Sequence, residues 1–142
     1  MSGCIFCRSP GDGGCPPDSG GVSRSDQEPS DLLAGNELAV AFRAGFPVSP
    51  GHALIVPRRH EPDFFSLSAE EQAAVIALVN PVRSVLDKEF GPDAYNLGVN
   101  VGKAAGQTVL HTHLHVIPRY AGDVAEPRGG VRWVLPETAR YW

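Results

Sequence analysis

From Ser68 to Gly91, Val75, Leu78, Val79, Val82, Val85 and Leu86 recur at steps of three and four. One apolar stripe of that spacing predicts a helix over about Ala69–Phe90 with a single face to bury. Ser68 with Glu71 three positions on fits a capping box, and Gly91 followed by Pro92 ends the segment. Pro81 lies inside it and removes one backbone hydrogen bond, so a kink or break is expected there. The remaining patterned segments are short. "ELAVAFR" from Glu37, "ALIVP" at 53–57, "AYNLGVNVG" at 94–102 and Leu110 to Ile117 read as strands. "FPVSPGH" reads as a turn and Gly102 to Gly106 as a loop. One main helix packed on one face of an antiparallel sheet makes this an α+β fold. The folded domain is expected over 36–142. Residues 1–35 form an N-terminal segment, and its Ser9–Ser30 stretch, rich in glycine, proline and serine, reads as an irregular, flexible loop.

A chain of 142 residues is one domain, long enough to bury a core. Its net charge of -4 argues against broad binding of nucleic acid, which needs a basic footprint, but leaves small phosphorylated ligands open. No apolar run approaches the roughly 20 residues of a membrane span, and "MSGCIFCRSP" lacks the charged start and apolar stretch of a secretion signal. Three cysteines, two of them the close pair Cys4 and Cys7, do not form a secreted disulfide framework. The expected compartment is the cytoplasm.

Three of the five histidines fall within five residues, in "HTHLHVI" at 111–117. On a strand, residues two apart share a face, so His111, His113 and His115 point one way. Leu110, Thr112, Leu114 and Val116 then point the other way, where the apolar members can pack on the helix. Imidazoles spaced i and i+2 can share a metal ion, but a mononuclear catalytic site usually adds a carboxylate, and the segment supplies none before Asp123. A histidine can instead attack phosphorus, provided one ring nitrogen is tied by a hydrogen bond that leaves the other free. The preceding loop decides for phosphate: Gly106, Gln107 and Thr108 offer backbone N–H, amide and hydroxyl donors beside the row.

With these residues in view the sequence resembles the histidine triad (HIT) superfamily of nucleotide hydrolases and transferases. Its motif, His-x-His-x-His followed by two apolar residues, is matched by "HTHLHVI", with Thr112 standing where the family usually has an apolar residue. The likeness extends to "GQTV" before the row, "PGHALIVPRRH" at 50–60, the helix, and "CIFC" at the start. "PRGGVRW" near the end is similar to the tail of bacterial members closest to the diadenosine polyphosphate hydrolase branch. The resemblance implies that His113 is the nucleophile attacking an α-phosphate and carrying a nucleotidyl intermediate. It implies that His115 binds phosphate and orients His113, and that His111 is the outer histidine of the row. Asn100, Gln107 and Thr108 match positions that contact the phosphates or leaving group, and Gly106 permits close approach. Water would then release a nucleoside monophosphate, with no metal needed for the chemistry. A homodimer is also implied, with the segment from Pro127 to Trp142 reaching towards the partner's site.

Two positions qualify that expectation. Ala44 stands where family members carry an aspartate or asparagine that accepts from the ribose hydroxyls. Either Arg43 or a water takes over, or sugar selectivity relaxes. Cys4 and Cys7 have the spacing of a zinc half-site. Some members complete such a pair with histidines that by position are His52 and His111, giving a structural zinc. Cys15 reads as a bystander and His60 as a surface residue. The alternatives are a zinc-containing nucleotide-binding regulatory module with little turnover, and a metalloenzyme that uses the row directly.

Overall fold

The computed structural model describes Phe6 and residues 32–142. Cys4, Cys7, Cys15 and the Ser9–Ser30 stretch lie outside the described residues. Five strands, β1 (Leu32–Gly35), β2 (Ala39–Arg43), β3 (Ala53–Pro57), β4 (Ala94–Val99) and β5 (Leu114–Arg119), form one sheet in the order β1-β2-β3-β5-β4. All neighbouring pairs are antiparallel. Among the described residues the sheet begins with β1 at Leu32, just before the expected boundary at residue 36. β1 escapes a pattern reading because its four residues, "LLAG", do not alternate.

The helical stretch is two helices, α1 (Ala69–Ala77) and α2 (Val79–Phe90), divided at Leu78. Ser68 and Glu71 form the full capping box at the start of α1. Pro81 sits in the first turn of α2, where a helix has no use for its N–H, so the break moves ahead of the proline rather than onto it. Gly91 ends α2 in the left-handed conformation, its N–H donating to Asp87 O at 3.1 Å.

Strand alternation gives the sheet two different faces. Ala39, Ala41, Ala53, Ile55, Leu114 and Val116 pack against Val75, Leu78, Val82 and Leu86 of the helices. Small residues on the central strands let the helices lie close, and this is the main core. On the other face Val40, Phe42, Leu54 and Val56 gather around Phe6. The histidines belong to that second face.

Candidate active site

Regular pairing on β5 starts at Leu114, so only His115 of the row lies on the strand itself; His113 precedes it in irregular chain and His111 lies in a bend. The expected strand from Leu110 is therefore four residues shorter at its start. Leu110 is exposed rather than packed on the helices. Thr112 is buried, and both its N–H and its hydroxyl donate to Glu61 O, each at 2.8 Å. That double bond to the β3–α1 connection accounts for a hydroxyl at a position where an apolar residue was expected.

The histidines are held in defined tautomers. His113 Nδ1 lies 2.8 Å from His111 O. A carbonyl only accepts, so Nδ1 carries the proton and Nε2 keeps its lone pair. The Val48 N–H donates to His52 Nδ1 at 3.1 Å, which puts the proton of His52 on Nε2. Nε2 then donates across 2.9 Å to His115 Nδ1, and His115 is left with a proton on its own Nε2. One neighbour thus presents a lone pair and the next a donor, with ring centroids 5.0 Å apart. Burial pushes the pKa of His113 below the ordinary imidazole value, against the opposing pull of the His111 carbonyl. His115 is pushed down to about 4, by burial first and then by His113 and His52, and His52 is lowered by burial and by His113. All three are neutral at pH 7, as the hydrogen-bond chain requires.

Two open hollows are lined by residues that precede and follow the row in sequence, and neither is lined by its histidines. One, of about 670 Å³, is lined by Pro62, Gly102, Thr108 and Leu110 ahead of it. The other, of about 610 Å³, is lined by Val48, Ile117, Arg119 and Trp133 beyond it. Phe6 covers the near end of the face, its ring 5.1 Å from that of His113 and 5.9 Å from that of His111. A lone pair on His113 and an N–H donor on His115, side by side on one sheet face, suit a phosphate group.

The HIT domain family matches residues 25–122 of this sequence. The chain belongs to the HIT family. It is 42% identical to adenylylsulfatase HINT3 of Arabidopsis thaliana over 120 residues, 84% of this chain and 54% of that protein. It is 36% identical over 116 residues to the adenosine 5'-monophosphoramidase hnt1 of Schizosaccharomyces pombe, 82% of this chain and 74% of that one. A HIT family protein of Bacillus anthracis superposes with a TM-score of 0.61 at 38% identity, covering 63% of this chain and 64% of that one. The chain spans 53% to 66% of the length of several other curated relatives.

Within this HIT domain the loop before the row is braced on itself. The Gly106 and Gln107 N–H groups donate to Lys103 O at 3.0 Å and Gly102 O at 3.1 Å. The Gln107 amide accepts from the Gly102 N–H at 2.8 Å and donates to Pro62 O and Val109 O at 2.8 and 3.2 Å. Gln107, expected at a phosphate-contacting position, is mostly buried, and these bonds hold the loop's shape. Gly106 has a φ of +92° with open space where a Cβ would stand, so backbone conformation selects glycine there rather than crowding. Thr108 is exposed at the loop's end, and Asn100 is half-buried one residue past β4.

Of the two histidines expected to join Cys4 and Cys7, His52 contacts His115 and His111 contacts His60. Both ring nitrogens of His52 are engaged, one by Val48 and one by His115. His111 places Nε2 2.8 Å from Pro57 O, and its ring meets that of His60 edge-on at 5.2 Å. His60, read from sequence as a surface residue, is the histidine beside His111. Among the described residues no three His, Cys, Asp or Glu side chains are grouped to hold a metal. Arg43 is already engaged. It lies on the helix face with Ala39 and Ala41, and its guanidinium pairs with Glu89 at 2.6 Å. Ala44 packs against the Phe42–Leu54 cluster on the reactive face.

Proposed function

We propose that this HIT domain is a nucleotide hydrolase or nucleotidyl transferase that cleaves a phosphoanhydride or phosphoramidate at the α-phosphate. The observation that carries the reading is the tautomer of His113, with Nδ1–H tied to the His111 carbonyl and Nε2 presenting its lone pair. Attack forms an Nε2–P bond as the bond to the leaving group breaks, and the leaving group departs with that electron pair. The imidazole becomes cationic, and the Nδ1–H bond to the carbonyl strengthens as it does so. His115 Nε2–H donates to the phosphate oxygens while charge builds on them. Water then attacks the same phosphorus and loses its proton to solvent, the P–N bond returns its electrons to His113, and a nucleoside monophosphate is released. The HINT3 and hnt1 relatives support this reading through their names, which are those of adenylyl sulfate and phosphoramidate hydrolases.

The test is a panel of dinucleoside polyphosphates, adenosine phosphoramidate and adenylyl sulfate, run on wild type and His113→Asn. Loss of the nucleophile should lower turnover by about a thousandfold or more while nucleotide binding survives. Undiminished hydrolysis by the variant sinks the assignment.

A zinc ion, held by Cys4 and Cys7, takes His60 and His111 in this proposal rather than His52. It serves as a staple for the N-terminal segment and contributes nothing to the reaction. Metal content that falls in His60→Ala and not in His52→Ala is the expected result. A homodimer, implied by the family resemblance, fits the outer edge of β4 and the exposed Val131, Val134 and Leu135 of the C-terminal segment.

A further inference from the structure

The pairing of His52 with His115 depends on where a turn sits, and two side chains outside the histidine set fix that turn. Ser49 Oγ donates to Pro118 O at 2.7 Å. The Tyr120 hydroxyl donates to Pro50 O at 2.7 Å. Both bonds join the 48–52 turn to the strand that carries His115, or to the residue just past it. Inside the turn the His52 N–H donates to Ser49 O at 3.1 Å, and the Ala44 N–H donates to His52 O at 2.9 Å. Gly51, with a φ of +88°, lets the chain press onto that strand: a Cβ there would lie 2.9 Å from the Phe90 ring and 3.2 Å from the Pro118 ring. The turn therefore has one seat.

We propose that Ser49 and Tyr120 are positioning residues, which clamp the turn to β5 and thereby set the tautomers of His52 and His115. The link is the Val48 N–H, whose aim at His52 Nδ1 depends on the turn's seat. Neutral imidazole has two tautomers, and the hydrogen bond at one nitrogen selects between them. With Val48 displaced, His52 is free to carry its proton on Nδ1 and offer a lone pair to His115. His115 must then donate from Nδ1, and it faces the phosphate with a lone pair instead of an N–H. A donor has become an acceptor without any change at His115 itself. The consequence for rate rests on the proposed hydrolase chemistry; the tautomer assignment does not.

The experiment reads ring ¹⁵N signals of the five histidines in wild type, Ser49→Ala, Tyr120→Phe and the double variant at neutral pH. Wild type should show His52 and His115 protonated at Nε2 and His113 at Nδ1. In the double variant the His52 and His115 signals should move to those of mixed tautomers. The His113 signal should stay, since its partner is the backbone of its own segment, and so separates a local effect from general loosening. Turnover should fall about three- to tenfold in each single variant, the range set by one ordinary hydrogen bond, and Ser49→Thr, which keeps the hydroxyl, should recover it. Unchanged tautomers of His52 and His115 in the double variant overturn the proposal. A wild type that hydrolyses none of the nucleotides overturns the hydrolase reading alone, because the spectra still decide the clamp.

Discussion

Two connections flank the histidine row, and they use their polar groups in opposite ways. The loop from Gly102 to Gln107 turns inward: its N–H groups and the Gln107 amide bond to the loop's own carbonyls and to its neighbours Pro62 and Val109. The turn from Val48 to His52 passes its polar groups outward: the Val48 N–H orients the ring of the turn's own last residue, His52, which donates a proton to His115. The glycine-rich loop has the composition associated with phosphate binding, yet the proline-rich turn is the one wired to the reactive rings. A connection's chemistry is set by which groups its internal bonds leave over, more than by its composition.

If that contrast is right, variants on the two sides separate. His52→Ala removes the donor to His115 Nδ1 and frees His115 to take either tautomer. We expect kcat to fall about a hundredfold, the low end for loss of a positioned proton donor, with nucleotide affinity changed far less. Gln107→Ala removes three bonds inside the opposite loop. It should lower stability by about 1–3 kcal/mol, read as a lower Tm, and raise KM through a looser Thr108, with kcat largely kept. The comparison breaks if Gln107→Ala loses kcat as severely as His52→Ala while its Tm is unchanged.

The legibility of the chain follows the same division. Periodic features were readable: the helix stripe, the Ser68 capping box, the Gly91 stop and the strand at 53–57 all depend on neighbours in sequence. So was the grouping of histidines on one side, although the chain bends before Leu114 and only part of the row is true strand. What was not readable depends on register between distant strands. His52 meets His115 because β3 pairs with β5, Ala53 opposite Val116 and Leu54 opposite His115. Alternation alone already put His52, Leu54 and Val56 on one face, the face that carries the histidine row. His60 beside His111, and Gln107 folded back on its loop, arise from irregular chain with no period to read.

The smallest effect sharpens the comparison within the turn region itself. Val48–His52 governs the rings, whereas Ala44, at the other end of the β2–β3 connection, borders the apolar cluster of Phe42 and Leu54 and offers no side-chain acceptor. Arg43 is held on the far face by Glu89. Wild type should therefore bind AMP and dAMP with similar affinity. Placing an acceptor there, as Ala44→Asn or Ala44→Asp, should favour AMP by about two- to tenfold, the worth of one hydrogen bond to a neutral hydroxyl. The amide variant separates that effect from repulsion between a new carboxylate and the phosphate. Calorimetric titration with both nucleotides measures it, and a wild type that already prefers AMP strongly defeats the prediction. If sugar preference moves while the His52 and His115 tautomers stay fixed, the two ends of one short connection control specificity and chemistry independently.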